Sequence, residues 1–207
     1  MRQRQRGATL IIVLIMMGVI AFTSAAALRR ASSNERVSNN FRMQALAHHY
    51  AEIALRYCEA QLVLLSSARV ATLQEANLYA FAGNDWPAWN QRGTWTGSGG
   101  ASASLTSVPA SYTVSASSSF SPGKAPHCVV EKLVLGSGQV YVVTARGFSP
   151  NYAADQRGFT ASGAVVWLQS VAAIQREASS DPLIGGHLAA GTLADRSWRR
   201  IINTPLL

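Results

Sequence analysis

A run of 21 residues without a charged side chain, 8–28, constrains the fold of this chain more than any other feature. At about 1.5 Å per residue, a helix of this length spans roughly 30 Å, the thickness of the hydrocarbon core of a bilayer. Three arginines precede the run within residues 1–7, and Arg29 and Arg30 end it. Because basic residues flank both ends, they do not orient the segment in a membrane. The run predicts a membrane-spanning helix.

Two other interpretations of this run stay open. The small residues Ala25, Ala26 and Ala27 form a signal-peptidase site, and cleavage there would release a soluble protein. The apolar core of a secretory signal is usually only about 7 to 15 residues long, so this run is long for that purpose. The other alternative is a plain single-pass anchor that is never cleaved.

The helical pattern continues beyond the apolar run. No glycine occurs between Gly18 and Gly83, and no proline occurs before Pro87. Apolar residues recur at spacings of three to five and form one stripe of an amphipathic helix. The stripe comprises Val37, Phe41, Leu46, Tyr50, Ile53, Tyr57 and Leu62. We therefore predict one helix over about 8–69, apolar all round in its first third and one-sided in the remainder.

The C-terminal part has a different period. Residues 128–171 contain the β-branched, alternating segments "CVVEKLVL", "QVYVVTARGF" and "FTASGAVVWLQSV". They predict a small antiparallel sheet, whose buried face needs the apolar stripe of the helix as a cover. The Ser/Gly-rich residues 93–124 before them are typical of a loop. The expected fold class is α+β.

The two cysteines lie in elements that should touch. Cys58 is on the helix, and Cys128 is at the start of the first predicted strand. Two cysteines are too few for a disulfide scaffold, but one bridge would join the sheet to the helix. An oxidising compartment would permit it. We favour the bridge; the alternative is two unpaired, buried cysteines.

Three tryptophans cluster ahead of the Ser/Gly-rich segment. Trp86, Trp89 and Trp95 could form a partner-facing patch, because aromatic residues are enriched in interface hot spots. More often, such tryptophans cover a small core.

The tail contains a second group of aromatic and basic residues. Thr192 and Asp195 resemble a helix cap, and the apolar residues that follow fall on one helical face. Basic side chains beside Trp198 could bind single-stranded DNA. They are Arg196, Arg199 and Arg200. We favour a short docking helix with a solvated basic face, and DNA is disfavoured as a partner.

Charge and motifs give little indication of chemistry. Of the net charge of +8, three charges belong to residues 1–7, which leaves 15 basic against 10 acidic residues and weakens an inference to nucleic acid. His48 and His49 are adjacent on a helix and make a poor metal pair, and His127 lacks further ligands at a suitable spacing. We predict no catalytic residues, no metal, no cofactor and no enzyme activity.

The N-terminal region resembles a known family. Its segment "RQRGATLIIVLIMMGVIAFTSAAALRRASSNERVSNNFRMQALAHHYAEIALRYCEAQL" is similar to the start of type IV prepilins, and of PilX-type minor pilins in particular. The similarity covers about the first 60 residues, and "VVTARG" and "LQS" in the later strands match more loosely. The resemblance implies cleavage by a prepilin peptidase between Gly7 and Ala8, and N-methylation of Ala8.

The same resemblance implies a domain organisation. Residues 1–7 would be the leader, 8–28 the transmembrane half of the helix, 29–70 its amphipathic half and 71–207 a periplasmic head. The chain departs from the major pilins at Ile12, where they carry a glutamate that pairs with the amine of a neighbouring subunit. An unpaired carboxylate in lipid is costly, so its absence fits a subunit at the fibre tip.

The function implied is that of a minor pilin that primes or caps type IV pilus fibres and supports twitching motility and adhesion. Its partners would be other minor pilins, the major pilin, the prepilin peptidase, the inner-membrane assembly platform and membrane lipid, with a large tip adhesin as a further candidate. It would lie in the inner membrane with its N-terminus cytoplasmic and its head periplasmic, and then at the pilus tip or base. The alternatives are a tip pseudopilin of a type II secretion system and a soluble periplasmic binding protein.

Overall fold

The computed structural model describes six stretches of the chain. They are residues 8–81, 87–113, 121–135, 138–156, 158–175 and 191–202. The chain divides into two compact units, residues 1–42 and 43–207. In the first unit the described residues belong to one helix, α1 (Ala8–Val63), and this helix also contributes residues to the second unit.

The end of α1 is fixed by the side chain of Arg69. Its buried guanidinium donates hydrogen bonds to the carbonyl oxygens of Leu62 at 3.0 Å and Leu64 at 3.1 Å. The last carbonyls of a helix have no partner within it, so this side chain replaces the missing donors. The prediction that the helix continues to about residue 69 is therefore wrong. Three 3₁₀ turns follow instead, at Ser66–Ala68, Ala71–Leu73 and Glu75–Asn77.

Eight strands follow among the described residues of the second unit. They are β1 (Tyr79–Phe81), β2 (Thr106–Ser107), β3 (His127–Leu135), β4 (Gly138–Phe148), β5 (Ala153–Ala154), β6 (Thr160–Ser162), β7 (Val165–Gln175) and β8 (Thr192–Ile201). The main sheet has the order β1-β3-β4-β7-β8, with β2 also paired to β3, while β5 and β6 form a separate ribbon.

The α+β prediction is confirmed, with two corrections to the sheet. β3, β4 and β7 are the antiparallel strands expected within 128–171. The sheet is mixed rather than purely antiparallel, because β1 pairs with β3 in parallel. It also extends past residue 171, because β7 continues to Gln175 and β8 adds a further antiparallel strand.

β8 replaces the short helix predicted for the tail. The residues chosen for one helical face are compatible with a strand as well, since the segment is too short for period alone to decide. β7 has an unpaired edge on this side, and Thr192–Ile201 supplies hydrogen-bonding partners for it along nearly its whole length. Tertiary pairing therefore overrides the weak helix signal of Thr192 and Asp195.

Helix α1 packs closely on one face of the sheet. The contact is made by Ala47 and Ala51, both fully buried, over Gly147 of β4, and Ala54 is fully buried in the same core. A Cβ atom at residue 147 would overlap the backbone of Ala47 and Ala51. Small side chains thus bring the helix against the sheet backbone. Of the predicted stripe, Tyr50, Tyr57 and Leu62 are buried, Leu46 and Ile53 are half-buried, and Val37 and Phe41 are exposed.

The other face of the sheet is covered by connecting segments. These contain the 3₁₀ turns Ala88–Asn90 and Ser102–Ser104 and the short helices α2 (Arg92–Thr96) and α3 (Ala110–Thr113). Much of the predicted loop at 93–124 is therefore built from short elements, and residues 114–120 of it lie outside the described residues. A second hydrophobic cluster forms here around Trp95, Val129 and Trp167.

Candidate functional site

The N-terminal part of α1 is apolar and exposed. Every large apolar side chain described between Leu10 and Leu28 is exposed, from 50% for Val13 to 79% for Phe22. None of this apolar stretch is buried. The Thr23 hydroxyl donates to the carbonyl oxygen of Val19 at 3.0 Å, so this polar group is satisfied within the helix. By length and composition the segment can cross a membrane.

The predicted processing site lies at the boundary of the described residues. Ala8 is the first residue of α1, whereas Gly7 and the rest of the leader, 1–7, lie outside the described part of the chain. Ile12, where major pilins carry glutamate, is 54% exposed on the apolar helix. The position therefore presents an uncharged side chain on the apolar part of α1.

A disulfide joins the helix to the sheet. Cys58 on α1 and Cys128 on β3 are bonded, with their Cα atoms 6.5 Å apart, and both residues are fully buried. The predicted pair is thus present. Because the bond connects residues 70 positions apart, it restricts the unfolded chain considerably.

A buried carboxylate makes a second link between α1 and the sheet. Glu59 accepts a hydrogen bond from the hydroxyl of Ser170 on β7, and its Oε1 lies 3.1 Å from Nε of Arg196 on β8. Glu59 is only 6% exposed. A charge at this depth is stable only when it is paired and hydrogen-bonded. The sequence analysis missed this cluster; the signal is a glutamate next to Cys58, on the buried side of the helix.

Of the three tryptophans considered for a partner-facing patch, Trp95 belongs to a core. Trp95 is 4% exposed and packs edge-to-face on Trp167, with ring centroids 4.7 Å apart. Its Nε1 donates to the carbonyl oxygen of the half-buried Trp89 at 2.7 Å. Trp95 therefore covers a small core, which is the interpretation that the sequence favoured, and it is not part of a partner-facing patch. Trp86 lies outside the described residues.

A buried cation lies among the aromatic rings of this layer. The Arg146 guanidinium is 4.8 Å from the ring centre of Trp95, 5.2 Å from Phe148 and 5.4 Å from Trp167. Such stacking stabilises a desolvated cation. Burial lowers the pKa of Arg146 to about 10. Burial, followed by the charge of Arg146, lowers the pKa of His127 to about 3, so this histidine is neutral.

A buried carboxylate anchors the segment that carries Trp89. Glu131 of β3 is fully buried and accepts hydrogen bonds from the backbone N–H groups of Ala88 at 2.6 Å and Trp89 at 3.2 Å. It thereby satisfies donors at the start of the turn Ala88–Asn90. Burial raises the pKa of Glu131 to about 7, against the opposing effect of these two hydrogen bonds. Nothing in the sequence pattern distinguishes this glutamate from an exposed one.

A groove of about 360 Å³ lies between α1 and the edge of the sheet. We call it the Trp198 groove. It is lined by Glu52, Leu55, Arg56, Leu168, Arg196 and Trp198. The Trp198 side chain is 57% exposed there. Within the described residues, no group of three or more His, Cys, Asp or Glu side chains could hold a metal ion.

Comparison with known proteins adds no assignment. No protein-family model matches the chain, and neither the curated proteins nor the solved structures contain a match. The functional argument therefore depends on the residues and the geometry described above.

Proposed function

We propose that this chain is a minor pilin, a structural subunit that primes or caps type IV pilus fibres as part of a tip complex. The observation that carries the proposal is the dual character of α1. The helix is apolar and exposed over 10–28, and the same helix packs on a sheet from Ala47 onward. A signal sequence that is cleaved and discarded has no need to continue into such a helix.

The physical mechanism is an exchange of surroundings by the apolar helix. In the inner membrane the segment 8–28 would be surrounded by lipid, and in a fibre by the apolar helices of neighbouring subunits. Because both surroundings are equally apolar, packing rather than the hydrophobic effect decides the transfer. The head, held to α1 by the Cys58–Cys128 bond, would supply specificity for its neighbours.

Ile12 supports a position at the tip. A subunit with another subunit ahead of it gains from a carboxylate that pairs with that neighbour, whereas a first subunit would leave the carboxylate unpaired in an apolar environment. Ile12 avoids that cost. The partners proposed are the other minor pilins, the major pilin, the prepilin peptidase and the inner-membrane assembly platform. The head would be periplasmic and the N-terminus cytoplasmic.

The first test is the intact mass and N-terminal sequence of the protein from membranes of its host. We expect a chain that starts at N-methylated Ala8. A start at Leu28 would contradict the proposal and leave a soluble periplasmic protein, and an intact N-terminus would indicate an ordinary anchor. Gly7→Val should block cleavage, while Gly18→Val, at a glycine with open space around it, should be processed normally.

The second test addresses the role in assembly. Deletion of the gene should reduce the number of surface pili, and the full-length chain should restore it. If the number and function of pili were unchanged by the deletion, the priming role would be wrong. If piliation were normal but protein secretion failed, the chain would belong to a type II secretion system instead.

A further inference from the structure

The edge of the main sheet at β8 is open. β8 pairs with β7 on one side, and none of the other described strands pairs with its second side. It is 10 residues long, and nine of them are exposed. A long open edge presents unpaired N–H and C=O groups to any extended chain, and proteins normally protect such edges.

The register shows which side chains of β8 face the helix. Trp198 lies opposite Ser170 and Arg200 lies opposite Leu168. Ser170 donates to Glu59 of α1, and Leu168 belongs to the core beneath that helix. Directly opposed residues of an antiparallel pair share a face. Arg196, Trp198 and Arg200 therefore form one row on the helix side of the sheet edge.

This row and α1 form the two walls of the Trp198 groove. Leu55 and Arg56 lie on the helix wall, Leu168 contributes from β7, and Trp198 stands on the strand wall. The pair between Glu59 and Arg196 links the two walls. The groove thus combines an exposed aromatic ring with a main-chain edge directly beside it.

The charges of the groove favour an anionic occupant. Arg196 is neutralised by Glu59, but in the described part of the chain no carboxylate pairs with Arg56 or Arg200, and both are exposed. Glu52 also lines the groove, and His48, 3.7 Å from it on the same helix, is charged only when protonated. Arg56 and Arg200 together outweigh the single carboxylate of Glu52, so positive charge is in excess near Trp198.

We propose that β8 and the Trp198 groove form a docking site for an extended, acidic segment of another protein. The segment adds as a strand to the free edge of β8, places an apolar side chain against Trp198 and a carboxylate beside Arg200. Arginines alone would protect the edge against unwanted pairing with other chains. The exposed tryptophan between them adds apolar surface, which such protection does not require. The site depends on the sheet edge alone and stands whether or not the chain is a pilin.

A peptide suits this site better than a nucleic acid does. A peptide strand satisfies the free N–H and C=O groups of β8, which phosphates and bases leave largely unused. We therefore propose a peptide, and nucleic-acid binding is an alternative outcome of the test.

The test uses the full chain in a non-ionic detergent and a fluorescein-labelled peptide, Thr-Glu-Thr-Ile-Thr-Glu-Thr. As a strand, this peptide presents Glu, Ile and Glu on one face in either direction. Fluorescence anisotropy should show saturable binding that weakens with added salt. A peptide with lysine in place of glutamate, and one N-methylated at alternate residues, should not bind.

Variants locate the site. Arg200→Glu and Trp198→Ala should each weaken binding by at least about tenfold, because each removes a central contact. Arg36→Glu makes the same charge change at an exposed residue of α1 that does not line the groove, and should have no effect. Unchanged tryptophan fluorescence and circular dichroism in the Arg200→Glu variant show that its head is folded.

The other outcomes overturn the proposal. Absence of saturable binding up to millimolar peptide would mean that the arginines protect the edge against pairing and that β8 is not a docking site. Preferential binding of oligothymidylate, abolished by Arg200→Glu, means that the face is a nucleic-acid site. Concentration-dependent dimers that exclude the peptide assign the edge to a second copy. Binding only after removal of residues 203–207 assigns it to the chain itself.

Discussion

The buried carboxylate of Glu131 predicts an unusual dependence of stability on pH. Its pKa is raised from 4.5 to about 7 in the folded chain, chiefly by burial. Between these two values the folded state holds a proton that the unfolded state has lost. The contribution of this group to stability is therefore fully present below pH 4.5 and is lost as the pH rises to about 7. At about 1.4 kcal/mol per pH unit, the loss amounts to about 3 kcal/mol.

Glu131→Gln isolates this effect. Glutamine retains an oxygen that can accept the hydrogen bond from the Ala88 N–H, but it cannot ionise. The free energy of unfolding of the variant, relative to that of the native chain, should therefore rise by about 3 kcal/mol between pH 4.5 and about pH 8. The comparison of variant and native chain is needed because His127 also contributes to the pH dependence. Its pKa is lowered to about 3 in the folded chain, so its contribution to stability is present above pH 6.5 and is lost as the pH falls, which is the opposite of the trend for Glu131.

The assay is urea unfolding of the full chain in detergent, followed by tryptophan fluorescence across this pH range. Trp89, Trp95 and Trp167 lie in or beside the layer that Glu131 anchors, so the signal reports on the relevant part of the head. Glu35→Gln, at an exposed carboxylate of α1, is the control and should leave the pH dependence unchanged. A difference between Glu131→Gln and the native chain that does not vary with pH would refute the argument from burial.

Three further changes test the packing of the head by the same urea assay. Replacing Cys58 and Cys128 by serine should lower the free energy of unfolding by about 4 kcal/mol, because the bond closes a loop of 70 residues; an equal fall after reduction of the native chain would confirm the cause. Gly147→Ala should cost about 3 kcal/mol, since its Cβ would overlap the backbone of α1, and a stability equal to the native value would refute the close approach. Arg69→Met should cost about 2 kcal/mol by leaving the carbonyls of Leu62 and Leu64 without their donor, and retained stability would mean that water replaces it.

Long patterned segments were predictable, and positions set by tertiary contacts were not. The helix from residue 8 and strands β3, β4 and β7 each contain enough residues for their period to show, and the structure confirms them. β1 and β2, with three and two residues, are too short to show any period. They exist because β3 offers them an edge to pair with. β8 was missed for a related reason, since its own sequence is compatible with both a helix and a strand.

The candidate sites also include residues that could be predicted from the sequence and residues that could not. The Cys58–Cys128 pair could be predicted because it required only that a helix touch a sheet. Glu59 and Glu131 could not, because the sequence does not show which glutamates find partners in the interior. For the same reason the sequence could not show which tryptophans are exposed: Trp95 is buried against Trp167, and Trp198 is exposed at the sheet edge.

The helix itself shows why residue size misleads a prediction of its buried face. A search for large apolar residues selects Val37 and Phe41, which are exposed, and passes over Ala47 and Ala51, which are fully buried. Alanine is selected where the helix lies against the sheet backbone at Gly147, because a larger side chain would hold the two apart. Bulky residues are suited to lipid, which adapts its shape to them, and they dominate 10–28. The change from bulky residues to alanine along one helix therefore coincides with the change from exposed side chains to side chains packed on a sheet.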